Sequence, residues 1–200
     1  MTTPNTILGV LEPKAGLRKG ISTLVTVLAG SAILALASRV NIPLIPVPAN
    51  FATLAVAALA AAFGWRIGVA MVLAYIVEGL LGLPVFSFGG GVGYLLSPTF
   101  GFIVGYLPLA YIVGRAADAG LSRNMLALFG VMLAADAVLF AFGYTWLLAM
   151  ARGASWIDPN NMLGSAFTAA VQPFIIWDVL KMAFAAVTVT GAWVLLRKKA

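Results

Sequence analysis

Long apolar runs alternate along the chain with short polar breaks marked by glycine and proline, and six such runs stand out, at 20–39, 51–63, 67–83, 99–117, 123–149 and 162–196. A helix needs about 20 mostly apolar residues to cross roughly 30 Å of hydrocarbon, so the pattern predicts an all-α integral membrane protein with six transmembrane helices. The second run is short for a span, and tilt or extension by the preceding loop would make up its length. Only "GWR" at 64–66 separates it from the third, which predicts a tight connection between two helices.

Composition agrees with the pattern. Of the 200 residues, 62% are hydrophobic and 9% charged, against about 45–50% and about 25% in ordinary soluble domains. The net charge of +6 comes from basic residues scattered singly or grouped at the ends, which reads as a topology signal and excludes a nucleic-acid face. With the N-terminus cytoplasmic, Lys14, Arg18, Lys19, Arg66, Arg115, Arg123, Arg197, Lys198 and Lys199 fall on one side, and Arg39 and Arg152 on the other. That asymmetry predicts a multi-pass protein of the cell (inner) membrane with both termini in the cytoplasm. Residues 1–19 then form a cytoplasmic segment, 20–196 the six-helix membrane domain and 197–200 a basic tail. The first twenty residues lack a signal-peptide pattern, so the first span is expected to insert uncleaved. Trp65 and Trp193 fall near the inner interface and Trp156 in an outer loop.

Three outer connections differ from the short basic inner ones. "NIPLIPVPAN" at 41–50 carries three prolines, which predicts a stiff extended segment. "GLPVFSFGGGVGYLLSP" at 82–98 combines five glycines with Phe86, Phe88 and Tyr94, giving close backbone approach and flat apolar surface. "ARGASWIDPNN" at 151–161 holds Arg152, Trp156, Asp158 and a turn. Irregular backbone near lipid must be covered by protein or a watery cavity. The loops are therefore either a lid over a site or simple covers for helix ends.

Charges inside the spans are the candidate chemistry. Asp178 and Lys181 are three residues apart and share a helix face in the outer half of the last span. They are either an ion pair that tightens packing or a pair of contacts for complementary polar groups on a ligand. Asp136 interrupts the fifth span as a proton or cation site or a partner of a basic neighbour. Glu78, near the outer end of the third, is expected to be interfacial and solvated. Small residues four apart, Ser31 and Ala35, Gly64 and Gly68, Gly101 and Gly105, predict close helix packing, with the first pair open to docking a membrane partner.

Absences narrow the classes further. There is no histidine and no cysteine, so thiolate and imidazole metal sites and histidine bases are excluded, and neither a metal nor a cofactor is expected. No G-x-x-x-x-G-K-[ST] loop is present for ATP, and "GGGVG" at 89–93 lacks the strand-to-helix context of a dinucleotide fingerprint. A serine–lysine nucleophile would need Ser165 or Thr188 beside Lys181, so an enzyme is the least favoured class.

The stretches "IPVPANFATLAV", "GLPVFSFGGG", "SPTFGFIVGYLPLAYIVG" and "WDVLKMAFA", spread from about 20 to 196, together resemble the BioY family, the biotin-specific S components of energy-coupling factor (ECF) transporters. The resemblance implies an S-component bundle that captures biotin near the outer face and works with a transmembrane coupling protein and two cytosolic ATPase subunits. The family's D-x-x-K motif matches Asp178 and Lys181, and its glycine-rich loop and P-T-x-G segment match Gly89 to Gly93 and Pro98, Thr99 and Gly101. It departs from the pattern at "SPTFGF" in place of G-P-T-G-G-Y, at Ala52 in place of a glutamine, and at Ser31 and Ala35 in place of A-x-x-x-A. The expected substrate-binding residues are Asp178, Lys181, Tyr94, Phe86, Phe88, Gly91, Gly93, Thr99 and Trp177, with no catalytic residue. On this reading Asp178 accepts from the ureido N–H groups, Lys181 donates to the ureido carbonyl or the tail carboxylate, and the aromatics cover the apolar rings. The competing function is a stand-alone ion-coupled secondary transporter using Asp136 or Glu78.

Overall fold

The computed structural model describes residues 5–7, 9, 17–150 and 154–197. Seven α-helices account for most of them: α1 Leu17–Arg39, α2 Ala52–Phe63, α3 Trp65–Leu80, α4 Phe100–Asp118, α5 Met125–Met150, α6 Met162–Ala170 and α7 Ile175–Arg197. The fold class is the expected one, an all-α membrane protein in which α6 and α7 together form the sixth crossing. Four segments, Gly20–Arg39, Phe100–Asp118, Met125–Met150 and Met162–Leu196, are each long and apolar enough to cross a membrane.

The last crossing corrects the expectation of one continuous run over 162–196. A turn of 3-10 helix at Gln172–Phe174 interrupts it. Pro173 has no N–H to continue the ladder and disfavours helical backbone at Gln172, so α7 starts anew at Ile175. The break puts Asp178 in the first turn of α7, where the positive end of the helix dipole favours a carboxylate.

The short second run is explained by its position. α2 spans 12 residues, and Ala52, Val56, Ala57, Ala60 and Ala61 are all buried. The helix is enclosed by α1, α3, α4 and α7, so the bundle needs no lipid-facing length from it. The proline-rich 41–50 segment does not stay simply extended: its ends pair as two antiparallel strands, β1 Asn41–Ile42 and β2 Ala49–Asn50, with Asn41 opposite Asn50 and Ile42 opposite Ala49. This small hairpin sits over the start of α2.

Small residues do set the helix approach where expected. A Cβ at Gly101 would stand 2.1 Å from Cβ of Trp146, and one at Gly105 would stand 2.9 Å from the Leu139 carbonyl oxygen. α4 and α5 therefore touch nearly backbone to backbone. Ser31 follows the packing reading and not the docking alternative. It is only 1% exposed, and it donates to Oε1 of Glu78 at 2.8 Å. That bond gives Glu78, half-buried near the end of α3, a partner on α1 and links the two helices.

Outside the core the polarity is inverted relative to a soluble protein. Leu28, Leu36, Leu126, Ile176, Phe184 and Leu195 are all exposed, a surface suited to lipid. At the end of the bundle that holds Arg66 and Arg123, Trp193 donates Nε1–H to Ser122 Oγ at 3.0 Å and carries the Arg123 guanidinium 4.6 Å from its ring centre. Trp65 lies under Arg66 at 5.2 Å in the same way. Amphipathic ring and cation together mark a membrane interface.

Candidate binding site

At the other end of the bundle two of the three long connections, 41–50 and 82–98, help to line a recess. Its floor is charged. Lys181 Nζ lies 2.6 Å from Asp178 Oδ1, and Thr53 on α2 donates its hydroxyl to the same oxygen at 3.0 Å. Lys181 also donates to Thr53 Oγ1 at 3.3 Å. The three groups close a triangle between α2 and α7, with Asp178 only 3% exposed. The i to i+3 spacing puts Asp178 and Lys181 on one face, but the choice of α2 as the third partner belongs to the packing.

Around this floor the recess has neutral polar and apolar walls. Asn50 from the hairpin, Ser87 and Tyr94 from the 82–98 loop, Tyr75 from α3 and Thr99 before α4 supply polar groups. Val47, Phe102, Ile103, Leu139, Phe140 and Phe174 supply apolar ones. The cavity volume is about 50 Å³, well below the roughly 300–1,000 Å³ common for small-molecule clefts, so the recess is nearly closed and its walls must part to admit a ligand. The lining is a mostly apolar slot with a few convergent donors and acceptors, and it suits a small, partly apolar ligand with hydrogen-bonding groups.

Side-chain bonds tie the loops to the helices at the rim. Asn50 Oδ1 accepts from the Ala52 amide at 2.9 Å, while its Nδ2 donates to Ser87 Oγ at 3.0 Å. Ser87 in turn donates to the Ser38 carbonyl at 3.1 Å, and Ser38 Oγ shares a 2.7 Å bond with the Tyr75 hydroxyl. The glycine-rich loop is held just as firmly. Gly91, at φ 100°, donates its amide to the Gly79 carbonyl at 2.7 Å. A Cβ at Gly90 would stand 2.1 Å from the Leu83 carbonyl oxygen, so only glycine lets the loop fold back on the end of α3.

Of the residues expected at the site, Asp178, Lys181, Tyr94 and Thr99 line the recess. The others stand elsewhere. Phe86 is fully buried behind the wall, its ring 5.2 Å from Tyr75 and 4.6 Å from Tyr94, and it fixes both tyrosines from the back. Gly91 and Gly93 shape the loop without lining the recess. Phe88 is 58% exposed and Trp177 59% exposed. For Trp177 the reason is helical geometry, since a residue next to Asp178 points about 100° away around the axis. Arg152 lies outside the described residues. Ser165 donates to the Asn161 carbonyl and Thr188 to the Phe184 carbonyl, and neither approaches Lys181.

Thr53, Asn50, Ser87, Tyr75 and Tyr106 also line the recess but carried no signal by themselves in the sequence. Hydroxyl and amide side chains in an oily chain are weak markers, and their importance comes from the neighbours that the fold supplies.

Comparison with known proteins places this architecture. The BioY family model matches residues 11–198. The chain is 35% identical over 161 residues to the biotin transporter BioY of Rhodobacter capsulatus, covering 75% of this chain and 80% of that protein. It is 32% identical over 164 residues to the biotin transporter BioY of Rhizobium etli, covering 76% and 81%. Against the probable biotin transporter BioY of Pyrococcus horikoshii the identity is 29% over 157 residues, covering 78% and 86%. The fold matches the crystal structure of the S-component for biotin from an ECF-type ABC transporter, with a TM-score of 0.75, 21% identity, and 93% of this chain and 96% of that one aligned. With the family model spanning nearly the whole sequence and the fold superposing end to end, this chain belongs to the BioY family.

Proposed function

We propose that this protein captures biotin in the recess and serves as the substrate-specific membrane subunit of an ECF-type transporter. The observation that carries the reading is the Asp178–Lys181–Thr53 triangle on the floor of a mostly apolar slot, in a chain of this family. Biotin presents a neutral ureido ring with two N–H donors and one carbonyl, an apolar thioether ring and a short tail ending in carboxylate. An ionised carboxylate accepts only, and an ammonium donates only. Asp178 therefore takes the ureido N–H groups, and Lys181, with a donor left after its bonds to Asp178 and Thr53, meets a carbonyl or carboxylate oxygen. Phe102, Ile103, Phe174 and Tyr94 cover the apolar rings, and Asn50, Ser87 and Thr99 offer neutral hydrogen bonds.

Transport needs a source of energy, and the sequence has no phosphate-binding loop of its own. The partners on this reading are a transmembrane coupling protein and two cytosolic ATPase subunits, which move the loaded bundle and release biotin inward. The termini and the Arg66 and Arg123 end face the cytoplasm, and the recess faces outward, in accordance with the distribution of Lys and Arg.

A titration of the purified protein with biotin, thiamine and riboflavin tests the substrate. Biotin alone binds tightly, and Asp178→Asn, which keeps the shape and loses the charge, weakens it by about tenfold or more without unfolding the protein. Equal affinity for the three vitamins removes the assignment. Uptake into liposomes holding only this chain, abolished when the proton gradient collapses, would favour an ion-coupled transporter over the ATP-driven one.

A further inference from the structure

Two carboxylates are buried among the described residues, Asp178 and Asp136, and the recess accounts only for the first. Asp136 lies on α5 three and four residues before Leu139 and Phe140, which both line the recess. It therefore sits one turn deeper along the same face. It is 6% exposed, and its Oδ1 is sealed from solvent with no hydrogen-bond partner among the described residues.

The groups around it are few. Asp178 and Lys181 on α7 and Tyr106 on α4 lie within electrostatic reach. α6 has no titratable side chain, and Arg123, in the turn before α5, is engaged with Trp193. Asp178 and Lys181 already cancel each other's charge. An ionised Asp136 would leave one uncompensated negative charge within the membrane interior, which is strongly disfavoured. A bound metal ion is a poor remedy, because it needs several oxygen ligands, and no group of three acidic or other ligating side chains exists among the described residues. A proton needs only the one carboxyl.

We propose that Asp136 is a proton-binding site one helical turn beneath the recess, and that its proton is linked to occupancy of the recess. The linkage rests on the reading of the recess as a biotin site; the proton site does not. With the proton in place the interior charges balance and Lys181 is free to serve the ligand. With the proton lost, a second carboxylate draws on the same ammonium and repels the anionic tail of biotin. Biotin affinity then falls as pH rises, and by reciprocity biotin binding draws a proton in.

Two measurements on the full-length protein in lipid nanodiscs test this. Infrared spectroscopy at neutral pH shows the C=O stretch of a protonated carboxyl in the wild type and its loss in Asp136→Asn. Absence of that band overturns the proton site whether or not biotin binds. Biotin titrations from mildly acidic to alkaline pH show a fall of about tenfold in the wild type that Asp136→Asn lacks, its affinity staying at the acid-side value. Parallel profiles overturn the linkage. Should Asp136→Asn fail to fold, calorimetry of the wild type in buffers of different ionisation enthalpy, at the pH where its biotin affinity is falling, decides the linkage, with net proton uptake expected there and none overturning it. Failure of biotin to bind at any pH refutes the transport reading, while the infrared band still decides the proton site.

Discussion

Asp178 and Asp136 are the same residue type, both buried in one bundle, and the fold treats them in opposite ways. Asp178 receives an ammonium from its own helix and a hydroxyl from α2 on a single oxygen. Asp136, on the neighbouring α5, has an oxygen with no partner among the described residues. A buried charge is tolerated when it is paired and hydrogen-bonded, and a buried acid without partners is a candidate for a proton. On the proposed reading, the contrast separates a carboxylate paired with a cation at the recess from one whose charge is itself the variable.

Removing the cation should make Asp178 resemble Asp136. Lys181→Ala leaves a buried carboxylate with only Thr53 and lowers stability by about 3–5 kcal/mol, measured as a drop in the thermal midpoint, with biotin binding lost. The double variant Asp178→Asn with Lys181→Ala recovers much of that stability and none of the binding. If the double variant is as unstable as the single one, the cost lies in lost packing and the charge argument fails.

A smaller effect is expected from the third member of the triangle. Thr53→Val keeps the shape and removes one donor, at a cost of about 1–3 kcal/mol that appears both in stability and in biotin affinity. Thr53→Ser restores both. An affinity unchanged in the valine variant would show that Asp178 needs Lys181 alone.

Asp136→Asn replaces one neutral group by another of equal size when the acid carries a proton, so its stability at neutral pH changes by less than about 1 kcal/mol. A loss as large as that of Lys181→Ala would mean that Asp136 is ionised and paired after all, and the contrast between the two aspartates would disappear. The smallest effect belongs to Trp177→Leu. This lipid-facing side chain lies outside the recess, and both the midpoint and the affinity stay within about 0.5 kcal/mol of wild type. A clear loss of biotin binding there would place a second contact on the outer face of α7.

The membrane class, the six crossings and the face shared by Asp178 and Lys181 were legible because each depends on near neighbours in sequence. Apolar runs of spanning length, basic residues at their ends and a three-residue spacing need no knowledge of the fold. The aromatic contacts were only partly legible. Phe86, Phe88, Tyr94 and Trp177 share the same chemistry, yet Tyr94 lines the recess, Phe86 supports it from behind and the other two point away. The break at Pro173 could be seen in the sequence, but its consequence, Asp178 in the first turn of a new helix, required the register of α7 to be known.

The sequence by itself determined that this protein lives in a bilayer, and its D-x-x-K spacing and loop motifs carried the family. Only the tertiary structure decided who meets whom. Thr53 lies 125 residues before Asp178, and Asn50 lies 37 residues before Ser87. Contacts of that range arise from helix packing and loop closure, which no local pattern records. The same holds for what is missing around Asp136. A residue's want of partners is a property of everything packed around it, and it becomes visible only when the bundle is assembled.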